Sequence, residues 1–86
     1  MMPEGTVTRE EAIWQFCGFH RHLLKRSAQC GCFYCLRLFS PSEIEAWTDH
    51  EQTALCPHCC IDAVLPDVPL YVLDAELLRA MHEAFF

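Results

Sequence analysis

Two Cys-x-x-Cys pairs, Cys32/Cys35 and Cys56/Cys59, constrain this 86-residue chain more than any other feature of its sequence. A two-residue spacer lets two thiolates converge from one tight turn, with N–H groups of the turn free to point at the sulfurs. Two such turns supply the four ligands that a tetrahedral Zn²⁺ site takes. Twenty residues separate Cys35 from Cys56, at the edge of the spacing of about fifteen to twenty usual for paired zinc knuckles. A thioredoxin-like redox pair would need a surrounding βαβ pattern, which is missing.

The chain holds seven cysteines, with Cys17, Cys30 and Cys60 outside the pairs. A disulfide scaffold is the alternative for so cysteine-rich a small chain. The odd count and the pairing argue against it. So does the opening segment, which lacks the basic n-region and apolar h-region of a secretory signal. A cytoplasmic, reduced protein with metal-bound thiolates is expected, and no apolar run reaches the roughly 18 residues of a membrane span.

At 9.9 kDa the chain has room for one domain, residues 1–86. A hydrophobic content of 52% against 21% charged residues excludes a disordered chain. A domain this small buries little surface, and structural zinc is worth about 10–16 kcal/mol in small fingers. That equals the whole stability of an ordinary domain, about 5–15 kcal/mol. One zinc held by Cys32, Cys35, Cys56 and Cys59 is therefore expected as a condition of folding. Four thiolates leave no position for water, so the site reads as structural.

Cys60 comes directly after the second pair, where glycine is often used because the turn closes with positive φ. It could replace Cys59 with a looser turn, and Cys30 faces the same exchange with Cys32. The plain reading places both outside the metal's ligands. The alternative is a thiol switch, in which their oxidation to disulfides ejects zinc. Cys17 reads as a small core residue.

Residues 1–7 read as a loose tail. Thr8 and Glu11 form a capping box, and the stripe Ile13, Phe16, Cys17, His20, Leu23, Leu24 predicts a helix over residues 8–26. The zinc-knuckle core spans 30–65. Within it, Ser40-Pro41-Ser42-Glu43 predicts a short helix carrying Ile44 and Trp47, then a turn over Asp49–Gln52. Residues 70–86 predict a strand over Leu70–Leu73 and a helix capped by Asp74, burying Leu77, Leu78, Met81 and Phe85. The expected fold is a small α+β zinc finger of treble-clef or zinc-ribbon type, with an N-terminal and a C-terminal helix packed on the metal-stabilised core. The helix expected at Pro41–Trp47 favours the treble clef, since a ribbon normally has a hairpin there.

The net charge is −6, and residues 38–86 hold one base against nine acids. Nucleic-acid binding rests on phosphate neutralisation, so this balance disfavours it. A basic cluster of Arg21, Lys25 and Arg26 with His20 and His22 either complements a helix C-terminus or docks an acidic partner or nucleic acid. Asp49-His50 is a step found between the Cys pairs of some zinc-stabilised His-Asn-His nucleases. That class also wants Asn after the last pair and a second His or Lys downstream, and Cys60-Ile61-Asp62-Ala63-Val64 supplies neither. No phosphate loop, nucleophile elbow or paired-carboxylate setting is present. His58 should point outward, His20 should be packed and hydrogen-bonded, and His22 and His82 should lie on the surface. The expectation is a non-enzyme that docks on a protein partner through exposed aromatics such as Trp14, Phe85 or Phe86.

After Cys32 and Cys35 the chain carries Phe39, Pro41, Glu43-Ile44, Trp47 and Asp49. Then come Thr53-Ala54-Leu55-Cys56-Pro57, Cys59, Ile61-Asp62 and Val64. With this pattern, the stretch from Cys32 to Leu65 resembles the small bacterial zinc-knuckle proteins known only as uncharacterised "cytoplasmic proteins". Met81-His82-Glu83 with the aromatic end is similar too. The resemblance covers about two-fifths of the chain and implies a zinc-binding fold with no assigned activity. The family commonly has glycine where this chain has Cys60.

Overall fold

The structure, a computed structural model, describes residues 8–86; the tail expected over 1–7 lies outside the described residues. Thr8 opens helix α1 (Arg9–Trp14) with a reciprocal box. Its Oγ1 accepts from the Glu11 N–H at 3.1 Å while Glu11 Oε1 accepts from the Thr8 N–H at 3.0 Å.

The sequence predicts one helix over 8–26, and the structure breaks it. After α1 the chain tightens into a 3₁₀ turn, Gln15–Cys17, then Gly18 is extended and Phe19 has φ 49° before helix α2 (Arg21–Leu24) begins. Gly18 is a poor helix residue, and partners from a distant hairpin take over the freed groups. Phe19 N–H donates to Thr53 Oγ1 at 2.8 Å and Arg21 N–H to Gln52 O at 3.1 Å. The helical periodicity survives because both pieces bury one face, Ile13 and Cys17 from the first and His20 and Leu24 from the second.

Strand β1 (Cys30–Cys32) is the centre of an antiparallel sheet between β2 (Arg37–Phe39) and β5 (Val64–Pro66). Cys30 lies opposite both Phe39 and Pro66, and Cys32 opposite Arg37 and Val64. Pro66 is tolerated because β5 is an edge strand. The strand expected at 70–73 does not form; Pro69 and Leu70 turn instead, and the slot beside β1 is already filled by β5. Leu70 and Val72 are exposed, while Tyr71 folds back to donate its hydroxyl to Pro66 O.

The helix expected over Pro41–Trp47 is a single 3₁₀ turn, Pro41–Glu43, capped by Ser40. The capping signal is real, but Ile44 leaves it extended at ψ 124° and Trp47 pairs instead with Ala54. The result is a second antiparallel sheet, β3 (Trp47–Thr48) and β4 (Thr53–Ala54). The Asp49–Gln52 turn falls where the sequence places it, with Asp49, His50 and Glu51 all at positive φ.

Helix α3 (Ala75–Phe85) is capped by Asp74, whose Oδ1 accepts from the Leu77 N–H at 2.8 Å. It buries Leu77, Leu78 and Met81, and Leu78 packs directly over Gly31. The described residues thus form a small α+β fold with two antiparallel sheets and three α-helices. Among them, no helix is long and apolar enough to cross a membrane.

Candidate metal centre

The two Cys-x-x-Cys turns are built alike. In the first, which joins β1 to β2, the Tyr34 N–H donates to Cys32 Sγ at 3.4 Å; in the second, after β4, the His58 N–H donates to Cys56 Sγ at 3.4 Å. The residue after each pair closes the turn onto the carbonyl of its first cysteine. Leu36 N–H reaches Cys32 O at 2.8 Å and Cys60 N–H reaches Cys56 O at 2.9 Å. Both closing residues take positive φ, 65° and 68°. The turns are held side by side by the Phe33 N–H, which donates to Ala63 O at 3.0 Å.

This arrangement brings the Sγ atoms of Cys32, Cys35, Cys56 and Cys59 within 4.8 Å of one another. Across the two turns, Cys32 meets Cys59 and Cys35 meets Cys56, each pair at 3.6 Å. Zn–S bonds near 2.3 Å in a tetrahedron place sulfurs about 3.8 Å apart. The four cysteines therefore suit a single metal ion such as zinc. None of the seven cysteines is in a disulfide.

Burial pushes the Cys32 and Cys35 thiols up, and the Cys56 sulfur beside them adds to the effect. At Cys56 burial also opposes the thiolate. There the N–H groups of His58 and Cys59, with the thiols of Cys35 and Cys59, outweigh it and lower its pKa. Four adjacent thiolates need a cation among them, because like charges in a half-buried space repel.

The other thiols stay apart from the cluster. Cys60 is exposed. Cys30 is sealed in β1, its Sγ donating to Phe39 O at 3.5 Å, and burial pushes its pKa up to about 12. Burial and then the Asp62 charge push buried Cys17 up to about 11.

Among the histidines, His20 is fully buried and hydrogen-bonded, as the sequence predicts. His58 turns from the sulfurs toward Glu43, with Nε2 3.3 Å from Oε1. His82 is not the surface residue expected: half-buried, it bonds through Nδ1 to Phe33 O at 3.0 Å and ties α3 to the first knuckle. His22, Asp49 and His50 are exposed. In the basic cluster, the Arg21 guanidinium stacks 4.6 Å from the Trp47 ring and pairs with Glu51 at 3.4 Å, leaving Lys25 and Arg26 exposed.

Trp14, Phe85 and Phe86 come together from the two ends of the described chain. Trp14 and Phe85 have ring centroids 5.9 Å apart, and Phe33 lies 5.7 Å from Phe86. Phe19, at 65% exposure, joins them in lining one groove and is not singled out by the sequence. Its only signal is its place beside Gly18, off the apolar stripe. Comparisons with family models, curated proteins and solved structures give no match.

Proposed function

We infer that this chain is a structural-zinc protein, holding one Zn²⁺ through Cys32, Cys35, Cys56 and Cys59, and that it works as a non-catalytic module docking on a protein partner. The convergence of four sulfurs from two matched turns carries the reading. Thiolate donors favour soft or borderline cations, and four of them leave no coordination position for substrate or water. Both pairs lie on turns beside short antiparallel strands, and among the described residues no helix begins at the second pair. That supports a zinc ribbon over a treble clef. Membership of the small zinc-knuckle family that residues 32–65 resemble fits the same reading. The half-exposed Trp14 and Phe86 support the docking role. The Arg21 ion pair and stacking contact leave nucleic acid the weaker alternative.

Metal analysis of protein purified without added metal tests this. About one zinc per chain is expected. Cys56→Ser should lose zinc and fold together, while Cys17→Ser, Cys30→Ser and Cys60→Ser keep both. A folded, metal-free Cys56→Ser protein would overturn the assignment.

A further inference from the structure

One groove of about 920 Å³ has aromatic walls and an acidic rim. Trp14, Phe19, Phe85 and Phe86 line it, with Trp14 against Phe85, while Glu11, Asp49 and Asp62 supply carboxylates. No described lysine, arginine or histidine lines it. Among the described residues Asp49 and Asp62 form no ion pair, the acidic partners of such pairs being Glu51 and Glu43. Trp14 is 50% exposed and Phe86 58%, so large apolar faces and uncompensated negative charge share one concave surface.

We propose that this groove binds a partner segment in which lysine or arginine side chains alternate with apolar ones. The chemistry is that of a long cationic side chain. Its methylene stem lies along aromatic surface, its charged head is drawn to ring faces, and carboxylates at the rim receive it. The net charge of −6 draws such a segment in from a distance. The same rim repels the alternatives. An anionic lipid surface or nucleic acid meets three carboxylates, and a second copy docked face to face brings like charge against like.

This inference rests on the structural-zinc reading, because Phe33, which lines the groove, sits inside the first Cys-x-x-Cys turn. Its ring lies 6.2 Å from Phe85 and 5.7 Å from Phe86. A metal that fixes that turn fixes this part of the groove wall.

The test is selection from a phage-displayed library of random linear peptides against the zinc-loaded full chain, then titration with a synthetic copy of the peptide most enriched. Lysine and arginine should be enriched among apolar residues. Binding should weaken about tenfold for Asp49→Asn/Asp62→Asn, as expected for two exposed charge contacts. It should weaken further for Trp14→Ala and fall with added salt. Zinc content and circular dichroism are read on every sample. Overturning results are no enrichment with folded, zinc-loaded protein, enrichment of acidic or uncharged peptides, or unchanged binding by Asp49→Asn/Asp62→Asn. A dimer that Trp14→Ala dissolves would also overturn it, in favour of a second copy. Folded protein that binds basic peptides without zinc would sink the zinc assignment and leave the groove standing. Protein that is unfolded and metal-free as purified would remove both.

Discussion

His20 Nε2 accepts a hydrogen bond from the backbone N–H of Ala54 at 3.1 Å, joining the broken N-terminal helix to β4. The other ring nitrogen, Nδ1, faces the Phe16 carbonyl at 2.6 Å and must donate to it. These two contacts require the neutral Nδ1–H tautomer. Burial lowers the pKa of His20 below its ordinary value, and the nearby His22 adds to this against the Phe16 bond. The unfolded chain therefore takes up a proton below about pH 6.5 that the folded chain resists. Stability from His20 is complete above that pH and is lost as pH falls toward the depressed folded value. In urea titrations of zinc-loaded protein, the stability advantage over His20→Gln should shrink between about pH 7.5 and 5.5. An advantage independent of pH would contradict this.

Thr53 is the second clasp on the same hairpin. Its Oγ1 accepts from the Phe19 N–H at 2.8 Å, and Thr53 is 1% exposed. Thr53→Val keeps the shape and removes the acceptor. It should cost about 1–3 kcal/mol and speed hydrogen exchange at the Phe19 amide. Unchanged protection of that amide would show the bond to be dispensable.

Gly31 meets Leu78 where α3 crosses the sheet. A Cβ added at Gly31 would stand 3.0 Å from Leu38 Cδ2 and 3.1 Å from both Leu78 Cδ atoms. Leu38 is 41% exposed and can swing aside, whereas Leu78 is fully buried and cannot. Gly31→Ala should therefore destabilise by about 1–3 kcal/mol. Leu78→Val in the same chain should cost less than its own separate effect plus that of Gly31→Ala. Simple additivity in the double-mutant cycle would place the strain elsewhere.

Much of the site is legible because its information is local. The three-residue step within each Cys pair specifies a turn by itself, and the caps at Thr8, Ser40 and Asp74 each begin a helical turn as their side chains dictate. How far a helix runs beyond its cap is decided by distant residues. The stripe from Ile13 to Leu24 gives no sign of a break, since the acceptor Thr53 lies 34 residues from Phe19. Val64-Leu65-Pro66 and Leu70–Leu73 are both short apolar runs near prolines. Only the position of β1 beside the second knuckle decides which becomes a strand. Phe19 and Asp62 join Trp14 and Phe86 through the tertiary fold alone.

Cys60 tests the turn geometry. At φ 68° it occupies the left-handed region that costs a side-chain-bearing residue roughly 1–2 kcal/mol. Glycine removes that strain and gives back part of the gain through unfolded-state entropy. Cys60→Gly should thus be stabilising by about 0.5–1 kcal/mol in chemical denaturation. In native wild type, Cys60 should be the first thiol alkylated by iodoacetamide, with Cys17 and Cys30 protected by burial. A faster reaction at Cys30 would show that β1 opens locally.

The register that sets Cys30 against Pro66 joins positions 36 residues apart in sequence, a long chain to close without help. Each sulfur pair spans a single turn and needs no such search. An ion gripped by both pairs tethers Cys59 beside Cys32, and only the four residues Cys60–Ala63 then separate the tether from β5. With such an ion in place, the strand pairing of highest contact order would become nearly local, the direction that speeds folding.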